Sequence, residues 1–183
     1  DLYDQEFCSK WSNLPFLVDP DDPAGALLRA SRVFDDVTEE NEGYVYYDTA
    51  TGKATKAFAL SPDNEASYSP ALFGTYEVAL KDGSTIKCKT AFEAYKDQSS
   101  EYTLEKVASI CHVDEADLEE GIKLYANCES GGISLGVATD QYPQSTQAAI
   151  GVAALDCMMG YIDKPGSPAN SFARSAESTV FPT

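Results

Sequence analysis

Apolar and polar positions alternate most sharply between Tyr76 and Cys88. Tyr76, Val78 and Leu80 fall on one face of an extended run, and Thr85 to Cys88 forms the return. Asp82-Gly83 between them supplies the residue types that tolerate positive φ, so the pattern predicts a β-hairpin. Upstream, Tyr44-Val45-Tyr46-Tyr47-Asp48 has β-rich composition. Thr49 to Lys53 includes Gly52 as a turn residue, and Ala54 to Leu60 is a candidate partner strand. The apolar stretch Trp11 to Val18 reads as a strand or extended segment. It is closed by Asp19-Pro20, where Pro20 and Pro23 favour turns.

From Thr90 onward the period becomes helical. Thr90-Ala91-Phe92-Glu93 has the form of a capping box, with a helix to about Gln98. Thr103 can cap a second helix, on which Leu104, Val107, Ala108 and Cys111 share a face. Asp114 can cap a third, on which Leu118, Ile122, Tyr125 and Ala126 share a face. Acidic residues cluster at both starts, which suits the helix dipole. Gly131 to Val137 reads as a short glycine-flanked strand, Ala138 to Thr146 as a polar loop, and Gln147 to Met159 as a helix. That helix is apolar nearly all round and is expected to be buried. Gly160 stops it, Pro165-Gly166 and Pro168 confine the chain to turns, and Asn170 to Thr183 shows no pattern. The fold class is α/β: a mixed sheet with flanking helices, a Rossmann-like three-layer segment, plus a hairpin-containing N-terminal part. The organisation is 1–88 rich in strands and loops, 89–169 helical around one strand, and 170–183 a tail.

Composition narrows the functions. With 183 residues and 43% apolar positions, the chain can pack a core. Thirteen basic against 30 acidic residues give a net charge of -17. Such a surface repels phosphate backbones and anionic headgroups, which excludes nucleic-acid and membrane-surface binding. Nine of the acids lie between Asp19 and Asp48, against Arg29 and Arg32, and read as a solvated surface loop, with a cation site as the alternative, although their spacing does not fit the Asp-x-Asp-x-Asp-Gly calcium loop. The five cysteines and His112 do not cluster in sequence, so no zinc or iron–sulfur motif is present. The cysteines read as small apolar side chains, mostly buried. No apolar run reaches the length of a membrane span. The chain starts without an initiator Met, as a trimmed segment would, and any signal exporting a parent protein to the cell envelope would lie outside it.

Chemistry is best placed in the strand, polar loop and helix from Ile133 to Met159. In open α/β sheets, ligands bind beyond the carboxyl ends of strands, next to helix N-termini. Here Thr139, Asp140, Gln141, Gln144, Ser145 and Thr146 gather donors and acceptors beside unpaired amides. They could grip a phosphate or the edge of a pterin, and Asp140 could accept paired N–H bonds from a guanine or pterin. The plainer alternative is that Ser145 or Thr146 only caps the helix. No glycine-rich dinucleotide fingerprint or phosphate-binding lysine motif accompanies them. His112, at a helix junction, reads as a cap or surface residue, and Trp11 as a core or interface residue rather than a substrate platform.

The loop Gly136-Val137-Ala138-Thr139-Asp140-Gln141-Tyr142-Pro143-Gln144-Ser145-Thr146-Gln147 resembles a cofactor-side loop of the dimethyl sulfoxide reductase family of molybdopterin enzymes. The exit Gly160-Tyr161-Ile162-Asp163-Lys164-Pro165-Gly166 is similar to that family's Gly-Asn-x-x-x-Pro-Gly turn. Tyr102-Thr103-Leu104-Glu105 resembles its Tyr-Thr-Pro-Glu helix start. His112-Val113-Asp114-Glu115-Ala116-Asp117-Leu118 resembles its Gly-Val-Pro-x-x-x-Ile link, and Ser12-Asn13-Leu14-Pro15-Phe16-Leu17-Val18 its Thr-Asn-x-Pro-x-Leu-Val segment. The order agrees over nearly the whole chain. Tyr161, Ser167 and His112 depart from the family's usual Asn, Gly and Gly.

The resemblance implies an internal segment of a catalytic subunit that helps cradle a molybdopterin guanine dinucleotide carrying molybdenum or tungsten. It implies cofactor contacts at Gly136, Asp140, Gln141, Ser145 and Thr146. The metal ligand, any iron–sulfur cysteines and a further cofactor-binding domain are implied to lie elsewhere in the parent. Partners implied are the parent's remaining domains and an iron–sulfur electron-transfer subunit, and the segment alone is expected to be inert. The rival reading is an independent acidic ligand-binding or protein-interaction module, with Tyr44, Tyr46, Tyr47 and Tyr76 as a contact surface. A freestanding hydrolase has little support, with one His and no nucleophile elbow.

Overall fold

The computed structural model describes residues 2–61, 63–133, 136, 143–162 and 164–167. The fold is mixed α/β. Five α-helices and two antiparallel two-stranded sheets are present among the described residues. The chain divides into two compact units, Cys8–Tyr102 and, discontinuously, Asp1–Phe7 with Thr103–Thr183. Helix α1 is Gln5–Trp11.

The unit Cys8–Tyr102 is built on two hairpins. Strands β1 (Val45–Asp48) and β2 (Lys53–Lys56) pair with Val45 opposite Lys56. Asp48, itself buried, closes their turn by accepting from the Ala50 amide and the Thr51 hydroxyl, both at 2.9 Å. Gly52 supplies the positive φ of 69° that this turn requires. Strands β3 (Thr75–Ala79) and β4 (Thr85–Lys89) form the hairpin expected from the alternation, with Tyr76 opposite Cys88 and Val78 opposite Ile86. Val78 and Leu80 turn inward, and Gly83 carries a φ of 86° in the connection.

Residues 14–18 join the two hairpins. The Leu17 amide donates to Val45 O and the Val18 amide to Lys89 O, each at 2.8 Å, while Leu17 O accepts from Leu28 at 2.7 Å. The expected extended segment therefore exists, and it pairs with β1 on one side and β4 on the other. Leu17, Leu28, Ala30, Val45, Val78 and Cys88 form the core where these elements converge. Each buried aliphatic side chain there contributes roughly 1.5–3 kcal/mol. Two members of the acidic run are not solvated as expected. Asp19 and Asp48 are buried, and Asp19 pairs with Arg32, whose second nitrogen meets Asp21 at 2.7 Å. A buried carboxylate is tolerated only where such partners replace water.

Helix α2 (Ala91–Ser99) follows β4. The Thr90 hydroxyl accepts from the Glu93 amide at 3.1 Å, as the capping pattern requires, and donates to Leu72 O at 2.8 Å. The second half of the expected box is diverted. The Thr90 amide donates to Gly74 O, and the Glu93 carboxylate accepts from the Gly74 amide instead.

In the other unit, α3 (Leu104–Cys111) and α4 (Glu115–Ala126) are capped by Thr103 and Asp114 as expected. His112 ends α3 in the left-handed conformation, and its amide donates to Ala108 O. Helix α5 (Ser145–Met158) matches the span expected from the apolar run. It is not buried all round. Ile150 is 64% exposed, and only Met159, just past its end, is buried. An all-apolar helix is covered only where other elements supply a surface, and in its first half only Ser145 and Ala149 are partly buried. The expected strand at 133–137, and with it the three-layer arrangement, lies largely outside the described residues, as does the 170–183 tail. No helix among the described residues is long and apolar enough to cross a membrane. The cysteines also differ from expectation. Cys8 and Cys88 are buried, but Cys111 and Cys128 are exposed and Cys157 is partly exposed.

Candidate functional site

The site expected from the sequence centres on the start of α5. Gln144 precedes the helix with φ −98° and ψ 16°, and its side chain makes no capping bond. The first intrahelical bond runs from the Ala148 amide to Gln144 O at 3.0 Å, so the Ser145, Thr146 and Gln147 amides have no helical acceptor. The first turn contains no acidic residue. The other helices differ: Asp4 accepts from the Phe7 amide at α1, and Thr90, Thr103 and Asp114 cap α2, α3 and α4. The partial positive charge at the start of α5 is therefore left uncompensated by its own first turn.

Ser145 is half-buried and Thr146 exposed in that first turn. Gly136 is exposed, and a Cβ added to it would meet no atom within 4 Å. Asp140 and Gln141 lie outside the described residues. The groups described here are amides and hydroxyls. That donor set fits phosphate oxygens or the edge of a heteroaromatic ring and is unsuited to holding a metal directly. No group of three or more His, Cys, Asp or Glu side chains able to hold a metal occurs among the described residues.

The far end of α5 is fixed by a cluster that sequence reasoning missed. The Tyr125 hydroxyl donates to Asp156 on α5. The Tyr161 hydroxyl donates to Tyr125 O at 2.5 Å and to Cys128 O at 3.1 Å, and the two rings meet edge to face at 5.2 Å. Burial, then the hydrogen bond to Asp156, hold the Tyr125 phenol well above the ordinary tyrosine range, so it stays a donor. Burial also raises Tyr161 and the Cys157 thiol. The Asp4 amide donates to Met158 O at 2.8 Å. At Gly160, with φ 62°, a Cβ would lie 2.6 Å from the Asp4 carboxylate, so both space and conformation require glycine. The visible signal was Tyr161 itself, an aromatic where the resembled turn carries Asn. Its near-complete burial makes it a structural anchor.

No family model matches the chain. Curated proteins do. Over 104 residues, 53% of this chain, it is 31% identical to an uncharacterized oxidoreductase and to a dopamine dehydroxylase, both of Eggerthella lenta. Over 142 residues, 78% of this chain, it is 31% identical to a Halobacterium salinarum protein described as a candidate catalytic chain of dimethyl sulfoxide reductase. The chain spans 10% of the length of the first two and 15% of the third. It is thus a distant, partial homologue of oxidoreductases.

Proposed function

We propose that the chain is a segment of the catalytic subunit of a molybdenum or tungsten oxidoreductase of the dimethyl sulfoxide reductase family, and that its 133–159 region helps hold a molybdopterin guanine dinucleotide. The observation that carries the reading is the similarity to the Halobacterium salinarum protein over 78% of the chain. The start of α5, which the Gln144 side chain does not cap, supports it. In this reading the Ser145 and Thr146 amides and hydroxyls bind anionic or polar edges of the cofactor. Gly136 leaves room for close approach, while Asp140 and Gln141 read the guanine or pterin by hydrogen bonding. The Tyr125–Asp156 bond and Tyr161 keep α5 in position for this. The cofactor supplies the redox chemistry when bound, and these residues supply orientation and electrostatics. The remaining domains of the parent complete the site, an iron–sulfur subunit exchanges electrons with it, and the segment alone is inert.

The test is Asp140→Ala with Gln141→Ala in the whole parent enzyme, followed by measurement of bound pterin and metal. Each lost hydrogen bond removes about 1 kcal/mol, so the pair should lower cofactor occupancy severalfold while secondary structure and thermal stability stay unchanged. Full occupancy in the double variant overturns the assignment of these residues.

A further inference from the structure

We propose that a cavity in the unit Cys8–Tyr102, remote in sequence from the 133–159 region, binds a small neutral phenol, a single aromatic ring carrying a hydroxyl. The concavity is open to solvent and has a volume of about 340 Å³, at the lower end of the roughly 300–1,000 Å³ of small-molecule sites. Trp11, Phe16, Phe58 and Tyr68 are four of its eight lining residues. The Phe58 and Tyr68 rings stand at 77° with centroids 5.6 Å apart, so an inserted ring can stack on one and meet the other edge-on. Trp11 is 63% exposed and Phe58 40%, so aromatic surface is open to a ligand at the concavity. Trp11 is thus not a core residue, and it lies on the wall of this cavity.

Polar groups set the ligand class. Tyr68 and the exposed Asn13 are among the lining residues, and no hydrogen bond of either side chain is seen among the described residues. Tyr68 can donate to a phenol oxygen, and Asn13 can accept the phenol O–H. The Lys10 ammonium on the wall is already paired with Glu65 at 2.5 Å. It therefore offers little to a carboxylate and opposes a cationic ligand, while the net charge of -17 further disfavours anions. A neutral ring with one donor–acceptor group is what remains.

Trp11 is the only tryptophan in the chain, so its fluorescence reports occupancy directly. The 183-residue protein is titrated with phenol, anisole and benzoate, with excitation at the red edge of indole absorption, and ligand-observed NMR provides a second readout. Saturable binding of phenol is expected, with benzoate at least several-fold weaker. Tyr68→Phe, which keeps the ring packing, and Asn13→Ala, at an exposed position, should each weaken phenol about fivefold. Asn13→Ala should leave anisole unchanged, since anisole has no proton to donate. Circular dichroism checks that both variants keep the fold. Non-saturating quenching, equal affinity for benzoate, or phenol affinity indifferent to both substitutions overturns the proposal. None of these outcomes bears on cofactor occupancy in the parent enzyme.

Discussion

His112 carries φ 56° and ψ 41°, where a Cβ crowds the following carbonyl. Its amide donates to Ala108 O and the Val113 amide donates to the same oxygen at 3.1 Å, so the left-handed residue closes α3 in the manner usually given to glycine. The departure from glycine noted at this position is therefore a local cost. His112→Gly should raise the unfolding free energy by roughly 0.5–1 kcal/mol. Urea titration checks this, and a loss of stability would show that the imidazole makes a compensating contact. Ser167, the other departure, is buried, and its hydroxyl has no partner among the described residues.

At the scale of elements, Thr90 joins three pieces: β4, α2 and the loop carrying Leu72. Its fully buried hydroxyl accepts from Glu93 and donates to Leu72 O. Thr90→Val preserves shape and leaves both partners unsatisfied, at an expected cost of about 2 kcal/mol. Thr90→Ser, keeping the hydroxyl, should cost clearly less. Equal losses in denaturant midpoint would remove the hydrogen bonds from the explanation. The three caps at Thr90, Thr103 and Asp114 and the β3–β4 hairpin were legible because each is decided within a few residues. The diversion of Glu93 to Gly74 was not, because it depends on a partner 19 residues away. For the same reason residues 14–18 read as extended without revealing that β1 and β4 flank them. In the candidate site, Ser145 and Thr146 were recognisable from their place before an apolar run, whereas the Tyr125–Asp156 contact spans 31 residues and has no local signature.

For the whole molecule, the buried phenols and thiols set a limit at alkaline pH. Burial pushes Tyr68 up from 10.0 to about 12 and Cys88 from 9.0 to about 11. Both hold their protons more tightly folded than unfolded. Their contribution is therefore complete below the unfolded pKa values and is lost as pH rises through the folded ones. The denaturation midpoint should hold up to about pH 9 and fall from there towards 12, with Tyr68→Phe flattening the upper part of the fall. A midpoint constant across that window would show that neither group is protected from water. Self-repulsion of a chain at -17 steepens the same decline.

The pairing of the Asp4 amide with Met158 O has a consequence for the order of events during synthesis. The unit containing both is interrupted by Cys8–Tyr102, a unit with its own core. A ribosome adds about 5–20 residues per second. The inserted unit is thus complete and able to collapse several seconds before Met158 emerges, while residues 1–7 wait for their partner. The interrupted unit must therefore assemble last.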